Sequence, residues 1–468
     1  MAFENKYMMR LPRIVVLSAL ILSVSLPARA ITYSETDSII TWTLDDCISR
    51  AMDKSLVLES KRLDISDKQV SVSESKWAFA PDVTAGSNYN ISIGRVLDET
   101  TYDFVTNETV GSSSTSISGS ITIFNGLRSI RSLQYARLDK QAAELGLLQA
   151  EDELEIGVTA GFLETLCAME NIKNCQAIIM SINEQLRSAS KRVSVGKATG
   201  SELLQIQSQL ADAENRLLTA WHDYDMARLD LCQLLEIEDF KSFTPDGRDY
   251  IITLGNDTNI NYSGLIANAS QLPSVKIAAK NVELARKSMQ MTRSAWCPSI
   301  VLSAGYGTSF SNARQKIMAG DNGQLTYDAY PFREQYSDNA SYYLSIGINI
   351  PIFDRLATRS QVRHAAITHS QSLIQLQTVT KQARKEVMQI IMDVETAWQQ
   401  YQGAKAYLSS ATEAARQISL KYEAGAASAT DYNTAISTLI DAQIKNLTGK
   451  YEYALKLKIL EIYKNRCL

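Results

Sequence analysis

Apolar residues change their spacing along this chain in an order that occurs twice. From Asp82 to Gly94, and again from Ser114 to Ile123, apolar and polar residues alternate, which predicts two half-buried strands. Matching alternations run from Ile300 to Phe310 and from Tyr342 to Ile350. The stretches between them carry apolar residues every three or four positions, which is the spacing of amphipathic helices. We therefore expect a mainly α protein in which two β-hairpins interrupt long helices.

The predicted helices are longer than those of most globular proteins. One runs from Leu127 to Val193, a length of about 100 Å at 1.5 Å per residue. The helix that follows it has apolar residues at alternating steps of three and four, a heptad pattern that predicts packing against a second helix. The members of this seam are Leu203, Ile206, Leu210, Ala213, Leu217, Ala220, Tyr224, Ala227, Leu231 and Leu234.

The segments that join the paired helices show that the chain is duplicated. Arg192–Leu217 and Lys421–Asn446 align without a gap at a shift of 229 residues. In each copy a helical pattern ends at a glycine, Gly196 or Gly425, which favours the left-handed residue after a helix. A Ser or Thr then precedes an acid by three positions, which predicts a capping box at Thr199–Glu202 and at Ser428–Asp431. Each copy therefore contains a helical hairpin.

These patterns predict the domain boundaries. A basic start, the apolar run Ile14–Leu26 and the small-residue site Ala28–Ala30 indicate a signal peptide over residues 1–30. The first repeat follows over residues 31–236, a polar linker over 237–261 and the second repeat over 262–468. The predicted β-hairpins span about 82–124 and 299–352, and the predicted helical hairpins span 127–236 and 355–465.

Composition narrows the class of function. Without residues 1–30 the chain has 43 basic and 50 acidic residues, a net charge near −7 that argues against nucleic-acid binding. The six cysteines have no metal spacing, the three histidines are scattered, and no phosphate loop or nucleophile motif occurs. We therefore expect no enzymatic activity, no cofactor and no metal. Most cysteines should be small buried residues, although a disulfide that includes Cys47 stays open.

The strands permit two interpretations. Their length and alternation are those of membrane-spanning β-strands, but a soluble half-buried sheet has the same pattern. Four strands cannot close a barrel, and open edges in lipid leave backbone groups unpaired. Two chains would supply eight strands and three would supply twelve, and a channel favours three because only wide barrels hold water. The alternative is a periplasmic structural coiled-coil protein without a channel.

The order of these elements, with the turns VGKATGSELL and EAGAASATDY, resembles the outer-membrane efflux protein family of the TolC type. The resemblance covers essentially the whole mature chain. It implies a homotrimer with one twelve-strand β-barrel in the lipid of a Gram-negative outer membrane and an α-helical barrel in the periplasm. It also implies an exit duct for tripartite efflux or type I secretion, partnered by a periplasmic adaptor and an inner-membrane transporter of the resistance-nodulation-division or ABC type. Drug efflux and protein export both stay open.

The resemblance places an adaptor-docking site at the two helical turns. Adaptors of the family grip a V-G-x segment there. The matching residues are Val195, Gly196 and Lys197 in the first copy and Ala424, Gly425 and Ala426 in the second. Ala424 departs from the usual Val, which weakens the case for the second copy. The glycines also have a purely structural role as helix caps.

The resemblance also implies a periplasmic constriction at the same turns. Its carboxylates would be Asp431 and Glu202, which three-fold symmetry would bring near the axis, and Tyr422 would be its aromatic residue. Ala427 and Thr434 replace the charged or polar latch and the second Asp of the family, so we expect a less charged constriction. A role of both acids as helix caps alone is the simpler alternative.

Overall fold

The structure, a computed structural model, describes residues 40–97, 104–196, 199–247, 262–319 and 324–467. The predicted signal peptide lies outside the described residues, as do Lys197 and residues 248–261 of the predicted linker. Within the described ranges the helices are α1 (Leu44–Lys54), α2 (Leu56–Trp77), α3 (Arg128–Ser194), α4 (Gly200–Leu234), α5 (Tyr262–Ala267), α6 (Pro273–Arg293), α7 (Phe332–Asp338), α8 (Ala357–Glu423) and α9 (Ala429–Cys467).

The strands of the described ranges form three sheets. They are β1 (Ile40–Trp42), β2 (Asp82–Leu97), β3 (Phe104–Asn125), β4 (Phe243–Pro245), β5 (Ser299–Ser311), β6 (Gln315–Ala319), β7 (Leu325–Ala329) and β8 (Ser341–Asn349). The main sheet is antiparallel with the order β2-β3-β5-β8. β1 pairs in parallel with β4 of the predicted linker, and β6 pairs with β7 in a hairpin.

The predicted long helices are confirmed almost to the residue. Both α3 and α8 have 67 residues, a length of about 100 Å. Ahead of β2 the chain is helical from Leu44 to Trp77 in two segments, α1 and α2, which are separated at Ser55. The Ser55 hydroxyl accepts a hydrogen bond from the Leu58 N–H (3.5 Å) and thereby caps a new helix.

The strands extend further than hydrophobic alternation indicated. The alternation stops at Gly94 and resumes at Ser114, but β2 continues to Leu97 and β3 begins at Phe104. The segment between the alternations that end at Phe310 and begin at Tyr342 contains β6, β7 and α7. Backbone pairing does not require apolar side chains, so the hydrogen-bonded ladder continues after the alternation has stopped.

Each strand of the main sheet is joined to a long helix, and the helices lie side by side in the same order as the strands. The neighbouring helix pairs are α2 with α3, α3 with α6, and α6 with α8. Two consecutive left-handed residues connect strand to helix in each copy: Gly126 and Leu127 (φ +67° and +66°), then Arg355 and Leu356 (φ +56° and +63°). The second pair follows the first by 229 residues, so the duplication extends to the backbone conformation of the junctions.

The main sheet has two chemically different faces. The first, which we call the apolar face, carries Val83, Tyr89, Ile91, Ile93, Ile117, Leu302, Tyr306, Leu344, Ile346 and Ile348. The second, the hydroxyl face, carries Thr84, Asn88, Asn90, Ser112, Ser114, Ser116, Ser118, Ser120, Ser303, Gly305, Gly307, Ser309 and Ser345. Large apolar side chains are strongly exposed on the apolar face, with Ile93 at 81% and Leu344 at 73%.

The predicted heptad seam packs α4 against α3. Ile206, Ala213 and Ala220 are buried in clusters with residues of α3. Leu234 was wrongly placed in the seam, because α4 ends there and Leu235 takes the buried position instead. Cys47 of α1 and Cys232 of α4 are buried free thiols in the apolar cluster that these helices form with α3. Burial raises the pKa of Cys47 to about 12. Cys47, Cys167, Cys175, Cys232 and Cys297 are all free thiols.

Candidate functional site

The turn between α8 and α9 ends the first helix with a Schellman motif. The N–H of Gly425 donates to the Tyr422 carbonyl (3.0 Å), and the N–H of Ala426 donates to the Lys421 carbonyl (2.7 Å). Gly425 has a φ of +72°, and Gly196 at the end of α3 has a φ of +70°. Other residues are strained in this conformation, so glycine sets the direction of the chain at both turns. The predicted glycine-ended helices are confirmed.

The two predicted capping boxes form to different extents. At the start of α9 the Asp431 N–H donates to the Ser428 hydroxyl, while the Ser428 hydroxyl and N–H both donate to the Asp431 carboxylate (2.7 and 3.2 Å). These bonds, the hydroxyl's first, lower the pKa of Asp431. At the start of α4 the Glu202 N–H donates to the Thr199 hydroxyl (3.3 Å), but the Glu202 carboxylate turns toward other helices. The predicted box is therefore confirmed at Asp431 and half wrong at Glu202.

Glu202 joins the two helical hairpins. Its carboxylate accepts a hydrogen bond from the Tyr422 hydroxyl on α8 and lies 3.6 Å from Arg192 Nη1 on α3. The Glu202 side chain is only 14% exposed, so these contacts are largely shielded from water. A largely shielded carboxylate requires partners, and here the phenol donates a charge-assisted hydrogen bond while the guanidinium forms an ion pair.

Two tyrosine rings extend this contact to α9. The Tyr422 and Tyr432 rings stack with 5.0 Å between their centroids, and the Arg192 guanidinium lies 5.3 Å from the Tyr422 ring centroid. Tyr432 is buried, which raises the pKa of its hydroxyl, while a hydrogen bond with Gln185 of α3 acts in the opposite direction. We call Arg192, Glu202, Tyr422 and Tyr432 the tip cluster. It connects α3, α4, α8 and α9 at the turns.

The structure brings two of the three predicted constriction residues together. Glu202 and Tyr422 are in direct contact, whereas Asp431 stays in its own exposed cap. Sequence reasoning missed Arg192 and Tyr432. Arg192 had a detectable signal, because it and Lys421 are equivalent cations placed four residues before the turn glycines. Tyr432 had none, since the first copy has Leu203 at the equivalent position.

The predicted docking residues lie on the surface of the two turns. Val195 is 66% exposed, and Gly196 is exposed beside it. Ala424, Gly425 and Ala426 are all exposed at the second turn. Lys197 lies outside the described residues. The two turns therefore present small, accessible residues next to the tip cluster.

In the part of the chain that the structure describes, every helix lacks the long apolar stretch that crossing a bilayer would require. The same residues include no group of three His, Cys, Asp or Glu side chains that could hold a metal ion.

The comparison with protein families decides the identity of the fold. A profile of the family described as "Outer membrane efflux protein" matches residues 47–235 and 267–461. The chain belongs to the outer membrane efflux protein family. The two matched segments fall within the two predicted repeats, so the predicted resemblance is confirmed.

Individual members of this family match at low identity over most of their length. The outer membrane efflux protein BepC of Brucella suis is 21% identical over 417 residues, which cover 88% of this chain and 82% of BepC. The outer membrane protein TolC of Vibrio cholerae is 22% identical over 335 residues, which cover 70% of each chain. The structure of the CmeC outer membrane channel of Campylobacter jejuni matches with a TM-score of 0.74 at 15% identity and covers 91% of this chain and 86% of CmeC. The predicted combination of long helical hairpins and strands is the fold of outer membrane efflux channels.

Proposed function

We propose that this protein is a homotrimeric channel of a Gram-negative outer membrane, with its long helices in the periplasm. It provides the passive exit duct of a tripartite efflux or secretion system, and an inner-membrane transporter supplies the driving force. The observation that supports this proposal is the main sheet, which exposes an apolar face and, among the described residues, has β2 and β8 as unpaired edges.

The apolar face supports a position in lipid. Leaving a large apolar side chain in water costs roughly 1.5–3 kcal/mol relative to burying it. Ile93, Leu344, Ile346 and Ile348 are each more than 60% exposed, and other residues of this face are similarly accessible. Summed over these side chains, the cost is comparable to the roughly 5–15 kcal/mol by which folded proteins are typically stable. Contact with lipid removes the cost.

The two unpaired edges support closure by further copies of the chain. The strands alternate in direction, so β2 and β8 run in opposite senses, and β8 of one copy can pair in antiparallel fashion with β2 of the next. Three copies supply twelve strands. A strand spacing of about 4.8 Å and a tilt near 40° give a barrel with a backbone diameter of roughly 24 Å, wide enough for a water-filled lumen.

The edge helices carry matching apolar stripes. On α2 the exposed apolar residues include Leu56, Leu63, Val70 and Trp77, which are spaced seven apart. On α8 they include Ile367, Ile374 and Met388, which are spaced seven and fourteen apart. A spacing of seven is that of residues in a helix-packing seam. Because α2 and α8 are the outer helices of the layer that follows the sheet, the same neighbour that covers a sheet edge would cover these stripes.

The tip cluster supports a closed constriction at the periplasmic end. Glu202 and Tyr422 would hold the two helical hairpins of one protomer together, and Asp431 would add an exposed carboxylate that attracts cations. The exposed Val195, Gly196, Ala424, Gly425 and Ala426, with Lys197, would contact a periplasmic adaptor. The adaptor would link the duct to a transporter of the resistance-nodulation-division or ABC type.

Three measurements test the proposal. Purified protein in planar bilayers should give conductance steps, and light scattering in detergent should give the mass of a trimer. Extraction as a monomer without detergent would contradict both the channel and the lipid-facing sheet. Protease treatment of reconstituted protein should also leave a protected fragment that contains Tyr89 and Tyr306, whereas a periplasmic coiled-coil protein would leave none.

A further inference from the structure

The two edge strands of the main sheet differ in length. β2 has 16 residues and β8 has nine. The ladder between β5 and β8 stops at the pair Gly307 and Ser341, although β5 continues to Ser311. We call the end of the sheet that is farther from the long helices its outer end. At this end β5 extends past β8 and needs a different partner on that side.

The short helix α7 takes the place of β8 at the outer end. The Gln335 side chain, which is 0% exposed, accepts a hydrogen bond from the Ser311 N–H (3.0 Å) and donates one to the Ser311 carbonyl (2.9 Å). The side-chain amide of Asn339, just after α7, donates to the Ser309 carbonyl (2.8 Å). Backbone groups of alternate residues point to the same edge of a strand, so a longer β8 would have made these bonds. α7 is therefore built into the edge of the sheet.

α7 also leans onto the apolar face. The Tyr336 hydroxyl lies 3.0 Å from the hydroxyls of Ser113 and Thr115 on β3, so its side chain crosses β5. The ring centroids of Phe332 and Phe310 are 5.0 Å apart. Ser113, Thr115 and Phe310 belong to the apolar face. The helix is thus displaced from the plane of the sheet toward this face.

The slant of the strands shows how far β8 would reach along β2 of the next copy. Asp82, the first residue of β2, is level with Ser345 of β8, four residues before Asn349 at the end of β8. The ladder therefore shifts by about four residues over three strand steps, and one more step places Ser345 level with about the fifth residue after Asp82 of the next copy. Because like faces must match, that residue is Gly86 or Asn88.

In either register β8 stops before β2 of the next copy does. Ser341, the first residue of β8, is then level with Asn90 or Ser92, and Ile93–Leu97 extends beyond it. Ile93 is 81% exposed in the single chain. The element that stands next to this segment is α7, because α7 continues the edge that β8 begins.

The available space and the charges fit this contact. β5 and β2 of the next copy would lie two strand spacings apart, roughly 10 Å, and a helix with its side chains is about 10–12 Å wide. A helix fits there if it is displaced to one face, as α7 is. The side of α7 opposite Gln335 carries Arg333 and Ser337, which are both exposed. α7 has two acidic residues and one basic residue, whereas the charged residue of Ile93–Leu97 is Arg95.

We propose that α7 is a contact between copies of this chain. It covers Ile93–Leu97 on β2 of the next copy, for which β8 is too short, and so closes the outer rim of the barrel in place of a strand. The proposal rests on the proposed function, because it takes β8 of one copy to pair with β2 of the next.

Cross-linking of introduced cysteines tests the proposal. Ile93→Cys and Ser337→Cys are combined in one chain, with Cys297 and Cys467 replaced by serine. The protein in lipid vesicles is treated with a bismaleimide that joins thiols up to about 10 Å apart, roughly two strand spacings. Denaturing electrophoresis then measures the share of dimer-sized and trimer-sized product.

Two control pairs are made in the same background. Ser87→Cys with Ile346→Cys reports the contact of β8 with β2, since both registers bring these two residues within reach of the reagent. Ile123→Cys with Ser337→Cys should give little product, because Ile123 is exposed but lies at the opposite end of the sheet from α7.

We expect linked dimers and trimers from the Ile93 and Ser337 pair, at least about tenfold above the Ile123 pair, because held contact raises the effective concentration of the two thiols. Linking of the Ser87 and Ile346 pair without linking of the Ile93 and Ser337 pair would overturn the proposal and leave the shared barrel intact. In that case lipid or water covers the outer end of β2. Failure of both pairs would instead overturn the pairing of β8 with β2, and with it the proposed function.

Discussion

Tyr422→Phe should loosen the contact between the two helical hairpins and keep the tyrosine ring in place. The substitution removes the hydroxyl that donates to Glu202, while the stacking on Tyr432 and the cation–π contact with Arg192 remain available. A hydrogen bond to a charged group contributes about 1.5–3 kcal/mol, and 1.4 kcal/mol is a factor of ten in an equilibrium. Because Arg192 still lies 3.6 Å from the carboxylate, we expect the lower end of this range, about a tenfold shift toward separated turns in each protomer.

Single-channel recording in planar bilayers measures this shift as the fraction of time spent in the higher-conductance state. Asp431→Asn is the matched control, because it also alters a polar group at the turn but lies in an exposed cap outside the tip cluster. It should change cation selectivity and leave the open fraction near that of the unaltered protein. Glu202→Gln should open the channel at least as much as Tyr422→Phe, since it weakens both contacts of the carboxylate.

The result that would refute this reasoning is an open fraction for Tyr422→Phe equal to that of the unaltered protein. If Asp431→Asn raised the open fraction and Tyr422→Phe did not, the contact that closes the channel would be the Asp431 cap. Both outcomes would show that the tip cluster packs the hairpins without controlling the passage.

Three further predictions concern stability and assembly. Arg355→Gly should raise the unfolding free energy by about 1 kcal/mol because Arg355 has a left-handed φ. Gly126→Ala, at the equivalent position of the first repeat, should lower the unfolding free energy. Calorimetry that gives the two changes the same sign would contradict this. Acidification should weaken the cap of α9: the pKa of Asp431 is lowered on folding, so the cap is complete above the usual value of 3.8 and is lost as pH falls through the lower folded value. Amide exchange at the start of α9, corrected for intrinsic rates, should show this loss, and Asp431→Asn should abolish its pH dependence. Val70→Asp on α2 should convert trimers to smaller species in light scattering, while Gln69→Asp should not; an unchanged trimer would place the interface elsewhere.

The sequence determined the elements and their repetition, because those depend on local spacing. A period of two or of three to four specifies which face of an element is apolar, and the glycines at 196 and 425 specify where helices end. The long helices, the seam of α4 and both turns followed from these signals. The ends of the strands did not, because backbone pairing continues through polar sequence such as Thr109 and Glu108.

Only the tertiary structure decided the partners of individual side chains. Glu202 and Asp431 occupy equivalent positions after the same local motif. Asp431 caps its own helix, whereas Glu202 turns toward Tyr422, 220 residues away. At Glu202, Arg192 and Tyr422 approach from two other helices and give the carboxylate an ion pair and a shielded hydrogen bond, which Asp431 does not have. Likewise, alternation showed that the strands had two faces, but the register across four strands from both halves of the chain was needed to gather the serines on one continuous surface. Local spacing fixes which way a side chain points along its own element, and the packing of distant elements fixes what it meets.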